Sequence, residues 1–159
     1  IATIFLDRQL KVKRFTPRAT EIFNMIPGDV GRPLAHVTHT LESDNFEESA
    51  ETVLRTLQTA EREVRSRSGR VFLTRFVPYR TIEDKIEGVV MSFIDITERK
   101  RAREAKFFLA SIVESSEDSM LTVNFDGIIT SWNKASENLY GYTAKEVIGK
   151  PLTMLTLPE

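Results

Sequence analysis

The sequence predicts an α+β domain in which helices cover one face of a five-stranded antiparallel sheet. Two strand-like segments open the chain, a helical middle region follows, and three more strand-like segments come before residue 97. Turn residues join neighbouring strands, so we expect antiparallel pairing. The 159 residues are 41% hydrophobic and 28% charged, which is typical of a folded soluble protein.

The first two strands are predicted at residues 2–6 and 10–15, with a polar turn between them. Thr16 followed by Pro17 indicates a helix N-terminus, because threonine caps helices and proline fits their first turn. The apolar residues expected on one face of this helix are Ala19, Ile22, Phe23 and Ile26.

The middle region is predicted to contain a second helix, because its apolar residues recur at helical spacing. These residues are Phe46, Ala50, Val53, Leu54 and Leu57. Strands are then predicted at residues 60–67, 70–79 and 89–96, and Ser68-Gly69 forms a tight turn between the first two. These three strands complete the predicted sheet.

An internal repeat indicates two tandem copies of one domain. The matched segments are Ile4-Phe5-Leu6-Asp7 with Val123-Asn124-Phe125-Asp126, Phe15-Thr16-Pro17 with Trp132-Asn133-Lys134, and Gly31-Arg32-Pro33-Leu34 with Gly149-Lys150-Pro151-Leu152. The offset drifts between 117 and 119 residues, and the second copy stops after about 40. We therefore interpret the chain as a piece of a longer protein. Without its last three strands, this copy is expected to expose apolar surface and to be poorly ordered or to borrow a partner's sheet edge.

Residues 98–114 are predicted to form a linker helix with a heptad seam. A charged run comes first, and apolar residues then follow at a 3-4-3 spacing. The seam residues are Ala102, Ala105, Leu109 and Ile112. One interpretation is a helix that pairs with its copy in a homodimer, and the other is an ordinary solvated linker helix. Two heptads alone are marginal, so pairing would need the flanking domains.

The end of the first copy and the start of the second resemble the PAS domain family. Asp95-Ile96-Thr97 resembles the Asp-Ile-Thr ending of a PAS domain that runs into a signalling helix, and residues 125–142 resemble the opening of another. The resemblance implies a PAS fold at 1–97, a signalling helix at 98–114 and the N-terminal part of a second PAS domain at 115–159. It also implies that Asp95, Ile96 and Thr97 transmit a signal from the sheet to the helix.

Four segments of the first copy are similar to one PAS subfamily, found in bacterial chemotaxis-type fusions with protein-glutamate methylesterase and methyltransferase domains and in sensor kinases. They are Phe15-Thr16-Pro17, Asn24-Met25-Ile26-Pro27, residues 29–34 and Pro78-Tyr79-Arg80-Thr81. This similarity implies a non-catalytic sensory and dimerisation module of a cytoplasmic signalling protein. The expected partners are a second copy and neighbouring domains of the parent. The alternatives are a receptor for a small ligand or haem, and a structural spacer.

Both faces of the predicted sheet are apolar, although a face in contact with water should alternate with polar residues. We expect helices on one face and a partner surface on the other. By resemblance to flavin-binding PAS domains, the residues that face the ligand cavity would be Val64, Phe72, Thr74, Phe76, Met91 and Phe93. Three phenylalanines and one hydroxyl would largely fill that cavity, so no cofactor is expected.

Other functional classes find little support. His36 and His39 are the only histidines, so a metal site is not expected, and a single haem ligand is the remaining possibility. Six arginines lie between residues 62 and 80, but nearby acids should pair with them on a solvated face. With a net charge of -1, nucleic-acid binding is not expected. The chain lacks cysteine, an apolar run of about 20 residues and any recognisable catalytic triad.

Overall fold

The computed structural model describes residues 1–42, 45–81 and 85–155. The chain divides into two compact units, Ile1–Lys100 and Arg101–Glu159. The strands of the first unit are β1 (Ala2–Asp7), β2 (Val12–Phe15), β3 (Ala60–Arg65), β4 (Val71–Arg80) and β5 (Ile86–Asp95), and its main helix is α1 (Phe46–Thr56). All pairs are antiparallel in the order β2-β1-β5-β4-β3. The predicted five-stranded α+β fold is confirmed.

Alternation along the strands places one set of side chains in the core beneath α1. In β1, Ile4 and Leu6 are fully buried, and Ile4 stands opposite Met91 of β5. Phe46 begins α1 and is buried with Ala50 one turn later. This core therefore lies between α1 and one face of the sheet.

The segment after Thr16 differs from the predicted helix. Only one 3₁₀ turn forms, at Pro17–Glu21. The hydroxyl of Thr16 accepts a hydrogen bond from the backbone N–H of Thr3 at 2.9 Å instead of capping the helix. The chain then pairs with residues 38–40, so Phe23 lies in a β-bridge. Ile26 is 65% exposed, and its predicted place on a buried helix face is wrong.

The end of α1 also differs from the prediction. Leu57 was expected to extend the apolar stripe of the helix, but it adopts a left-handed conformation with φ 58° as the C-cap. Its side chain is 44% exposed. The helical stripe therefore ends at Leu54, which packs against the core.

The second unit contains β6 (Leu121–Val123), β7 (Ile129–Trp132), α3 (Lys134–Tyr140) and α4 (Ala144–Val147). The two strands pair, and Ile129, Trp132 and Val147 form a small core. Of the two alternatives expected for this segment, poor order is wrong for residues 119–155, whereas pairing with a partner's sheet edge stays a prediction. The expectation of exposed apolar surface is confirmed, since Phe125 is fully exposed and Leu139 is 67% exposed.

The two units repeat the same hydrogen bonds, which corrects the predicted register of the repeat. In the first copy, Oδ1 of Asp7 accepts hydrogen bonds from the backbone N–H groups two and four residues later, at 2.8 and 2.9 Å. In the second copy, Oδ1 of Asn124 accepts from the N–H groups two and four residues later, at 3.0 and 2.9 Å. Asp7 therefore corresponds to Asn124 and not to Asp126. The match of Gly31 with Gly149 holds, because their N–H groups donate to equivalent carbonyls of β2 and β7.

The predicted linker helix is present as α2 (Thr97–Ser115), with 19 residues. It begins two residues after β5 ends, and its first backbone hydrogen bond joins the N–H of Lys100 to the carbonyl of Ile96 at 2.9 Å. The last strand of the sheet and the helix are thus connected by a very short junction.

Candidate functional site

The six residues predicted to face a ligand cavity all lie in the core of the first unit. Their exposed fractions are 4% for Val64, 3% for Phe72, 0% for Thr74, 0% for Phe76, 0% for Met91 and 2% for Phe93. They share the face of the sheet that α1 covers. Their role in ligand binding stays a prediction.

Aromatic rings occupy the space between α1 and the sheet. The ring of Phe93 lies 5.3 Å from that of Phe23 and 6.0 Å from that of Phe46, both edge to face. Phe23 and Phe46 are themselves 5.9 Å apart. These side chains fill the face that the resemblance to flavin-binding PAS domains assigns to the ligand, so the residues present do not fit a flavin. The expectation that no cofactor binds remains a prediction.

The junction between β5 and α2 is held by a network around Asp95 and Thr97. The Oδ1 atom of Asp95 accepts from the hydroxyl of Thr97 at 2.5 Å and from its backbone N–H at 3.0 Å. The hydroxyl of Thr97 in turn accepts from the backbone N–H of Val71 at 2.9 Å, and Ile96 donates to the carbonyl of Val71 at the same distance. The start of α2 is therefore tied to the start of β4.

Arg70 completes this network from the other side. Its Nε and Nη2 atoms donate to Oδ2 of Asp95 at 3.0 and 2.7 Å. The hydroxyl and N–H of Thr97 lower the pKa of Asp95 most strongly, and the guanidinium of Arg70 lowers it further, from 3.8 to about 2 in all. The carboxylate therefore stays ionised at any physiological pH and holds the junction together.

Asp95 is predicted to make the first unit less stable in acid. Its pKa is lowered on folding, so the stabilisation is complete above pH about 4 and is lost as the pH falls toward 2. We expect wild type and Asp95→Asn to differ in their free energy of unfolding at neutral pH and to converge only as the pH falls through about 2, measured by urea denaturation between pH about 1.5 and 7. A difference that does not change with pH would contradict this role.

The predicted seam residues of α2 are all exposed in the isolated chain. Leu109 is 63% exposed and Ile112 is 47% exposed, and Ala102 and Ala105 share their side of the helix. Phe108, next to the seam, is 65% exposed. A helix that presents such residues to solvent has an apolar face without a partner.

The outer face of the sheet, opposite α1, carries a band of half-buried apolar side chains. The band consists of Phe5, Leu73, Val77, Tyr79, Val90 and Ile94. Ion pairs border it, including one between Lys100 at the start of α2 and Glu63 of β3. Lys13 pairs with Glu87 at the other side of the sheet. Coverage of this band by a partner stays a prediction.

The two histidines lie in the segment before α1 and not on the strands of the five-stranded sheet. His36 is exposed, while His39 is half-buried with its ring 5.3 Å from Phe23 and 5.2 Å from Phe46. An open groove of about 500 Å³ runs beside them. Among the residues that the structure describes, no group of three or more histidine and acidic side chains is arranged to hold a metal ion.

The position of Arg62 differs from the prediction that the arginines between residues 62 and 80 lie on a solvated face. Arg75 does pair with Glu61 on that face, at 2.6 Å. Arg62, however, lies on the core face, with its guanidinium 4.8 Å from the centre of the Phe46 ring. The sequence contained the signal, because Arg62 alternates with Ala60 and Val64, both of which point to the core.

Both units match models of one protein family. The model described as "PAS domain" matches residues 1–97, and the model described as "PAS fold" matches residues 108–159. The chain therefore belongs to the PAS domain family. As such it is a signal-sensing module of signalling proteins, and modules of this family are typically non-catalytic.

A relative and two solved structures illustrate the similarity. A 104.1 kDa protein in the hypE 3′ region of Rhodobacter capsulatus is 33% identical over 135 residues, which are 85% of this chain and 14% of that protein. The histidine kinase ThkA in complex with its response regulator TrrA has a TM-score of 0.59 at 22% identity, over 70% of this chain and 34% of that one. Vibrio cholerae VqmA in complex with ligand and DNA has a TM-score of 0.52 at 13% identity, over 79% and 58%. The two structures share the fold.

None of the helices in the described part of the chain combines the length and hydropathy that a membrane span requires.

Proposed function

We propose that the chain is a non-catalytic sensory and dimerisation module of a bacterial cytoplasmic signalling protein, in which α2 pairs with α2 of a second copy. The observation that carries this proposal is the exposed apolar seam of α2, directly after the β5 junction. A helix of 19 residues spans about five turns, and its seam, from Ala102 to Ile112, covers about three of them. The parent would be a chemotaxis-type methylesterase and methyltransferase fusion or a two-component sensor kinase, on the strength of the subfamily resemblance.

The signal would pass from the sheet to the helix through Asp95, Ile96 and Thr97. These residues connect α2 to β4 and β5 at once, so a change in how the sheet packs would alter the angle or position at which α2 leaves it. A relay of this kind needs two states with different contacts. The band on the outer face of the sheet, covered by a partner surface or a neighbouring domain, is the proposed place where those contacts change.

Single-cysteine cross-linking tests the pairing and the relay together, and the chain has no cysteine of its own to interfere. We expect Ala105→Cys, in the seam, to form a disulfide between copies on mild oxidation. Ser111→Cys, on the opposite side of the helix, should cross-link at least about tenfold more slowly, since disulfides need Cα atoms within about 7 Å. Adding Asp95→Asn to Ala105→Cys should change the cross-linking rate.

Equal rates at positions 105 and 111 would exclude the proposed seam. An unchanged rate in the Asp95→Asn background would separate pairing from relay, and would leave the chain as a dimerising spacer.

A second candidate function is a receptor for a small ligand. It is favoured by one observation in the core of the first unit, where Arg62 and Thr74 have buried polar atoms without hydrogen-bond partners. No comparable observation favours haem.

A further inference from the structure

Among the described residues of the first unit, three polar side-chain atoms are buried without a hydrogen-bond partner. They are Nε and Nη2 of Arg62 and Oγ1 of Thr74. The two residues stand directly opposite each other in the β3–β4 ladder and share its core face. Buried donors and acceptors are nearly always satisfied in folded proteins, because leaving them unpaired is costly. Three such atoms in one cross-strand pair therefore need an explanation.

The contacts of Arg62 show which edge of its guanidinium has no hydrogen-bond partner. Its Nη1 atom donates to Oδ1 of Asn45 at 2.5 Å, and its guanidinium carbon lies 4.8 and 5.6 Å from the ring centres of Phe46 and Phe76. The free edge therefore consists of Nε and Nη2, the two atoms with which Arg70 holds Asp95. This edge presents two parallel N–H donors and matches the two oxygens of a carboxylate.

The charge of Arg62 also has no acidic partner among the residues that the structure describes. Arg70 and Arg75 of the same hairpin form ion pairs with Asp95 and Glu61, whereas no ion pair joins Arg62 to a carboxylate within residues 1–42, 45–81 and 85–155. Burial lowers the pKa of Arg62 from its ordinary value, and the charge of Glu48 opposes this only in part. A buried cation in this position attracts an anion.

We propose that Arg62 and Thr74 bind the carboxylate of a small organic anion beneath the first turn of α1. The carboxylate would accept two hydrogen bonds from Nε and Nη2 of Arg62 and one from the hydroxyl of Thr74. A carboxylate fits better than phosphate. The two N–H donors at Nε and Nη2 of Arg62, here called the Arg62 fork, lie in one plane beside two aromatic rings, and they would leave phosphate oxygens without donors.

Binding would move α1. The free atoms of Arg62 are enclosed, and Phe46, the first residue of α1, lies against the guanidinium. An anion therefore reaches the fork only when the first turn of α1 shifts away from β3. The second candidate function, a receptor for a small ligand, thereby acquires a defined ligand class and a conformational response. This proposal does not depend on the pairing of α2.

Thermal unfolding with added anions tests the site. At low millimolar concentration, where the general stabilising effect of kosmotropic anions is negligible, sodium succinate and sodium acetate should raise the unfolding midpoint of the wild-type chain above that in sodium chloride of equal ionic strength, and sodium phosphate should not. Arg62→Lys keeps the positive charge but lacks the two parallel N–H donors. It should weaken succinate binding at least about tenfold. Arg75→Met, which removes a paired arginine on the outer face, should respond like wild type.

Thr74→Val separates a ligand role from a structural one. Valine has nearly the same shape without the unpaired hydroxyl, so the ligand-free variant should unfold at or above the wild-type midpoint. Its response to succinate should nevertheless be weaker. The proposal is overturned if no carboxylate raises the wild-type midpoint, which is the result expected when water alone satisfies Arg62. It is equally overturned if phosphate acts as strongly as succinate, or if Arg62→Lys responds like wild type. None of these three results would alter the cross-linking test of α2.

Discussion

Replacement of Gly88 by alanine is expected to destabilise the first unit by about 3 kcal/mol or more. Gly88 lies in β5 between β1 and β4, opposite Asp7 on one side and Tyr79 on the other. A Cβ atom at this position would lie 1.8 Å from the carbonyl oxygen of Leu6 and 2.8 Å from Cε1 of Tyr79. The tyrosine ring can move, but the backbone of β1 cannot yield without breaking its pairing with β5. The sheet would therefore lose its central register.

Urea denaturation of wild type and Gly88→Ala measures this effect through the transition midpoint and its slope. Gly28→Ala is a matched control, because the nearest atom to its new Cβ would be Cδ1 of Ile26 at 3.9 Å. This control should stay within about 0.5 kcal/mol of wild type. A Gly88→Ala variant as stable as Gly28→Ala would show that β1 and β5 are not packed as closely as described.

The sheet and its aromatic core could be predicted from the sequence because both follow from local alternation. Phe72, Thr74 and Phe76 share a face whatever the strand pairs with, and each is buried as expected. The same alternation includes Arg62 between Ala60 and Val64, but its charge suggested a solvated position. Burial of a guanidinium between aromatic rings is decided by tertiary packing, which the charge of one residue does not reveal.

The segments that could not be predicted depend on distant hydrogen bonds. The expected helix after Pro17 stops because Asn24 donates to the carbonyl of Thr38 at 2.9 Å and Phe23 bridges to His39. The link between Arg70 and Asp95 joins residues 25 apart, and it requires the register of the β4–β5 ladder. Motif resemblance identified Asp95 and Thr97, but it could not identify their arginine partner.

Replacement of Leu109 by glutamate is expected to abolish pairing of α2. Leu109 lies at the centre of the seam, between Ala105 and Ile112, and a dimer would bury both copies of the new carboxylate next to each other. We expect the dimer to dissociate at least about a hundredfold more readily. Ser111→Glu places the same charge on the opposite side of the helix and should leave pairing nearly unchanged.

The most direct test of the proposed function is sedimentation equilibrium of three chains, namely wild type, Leu109→Glu and Ser111→Glu. The proposed pairing of α2 predicts that wild type and Ser111→Glu form dimers over the same concentration range, while Leu109→Glu remains monomeric there. A monomeric wild type, or a Leu109→Glu variant that dimerises as well as the other two, would contradict it.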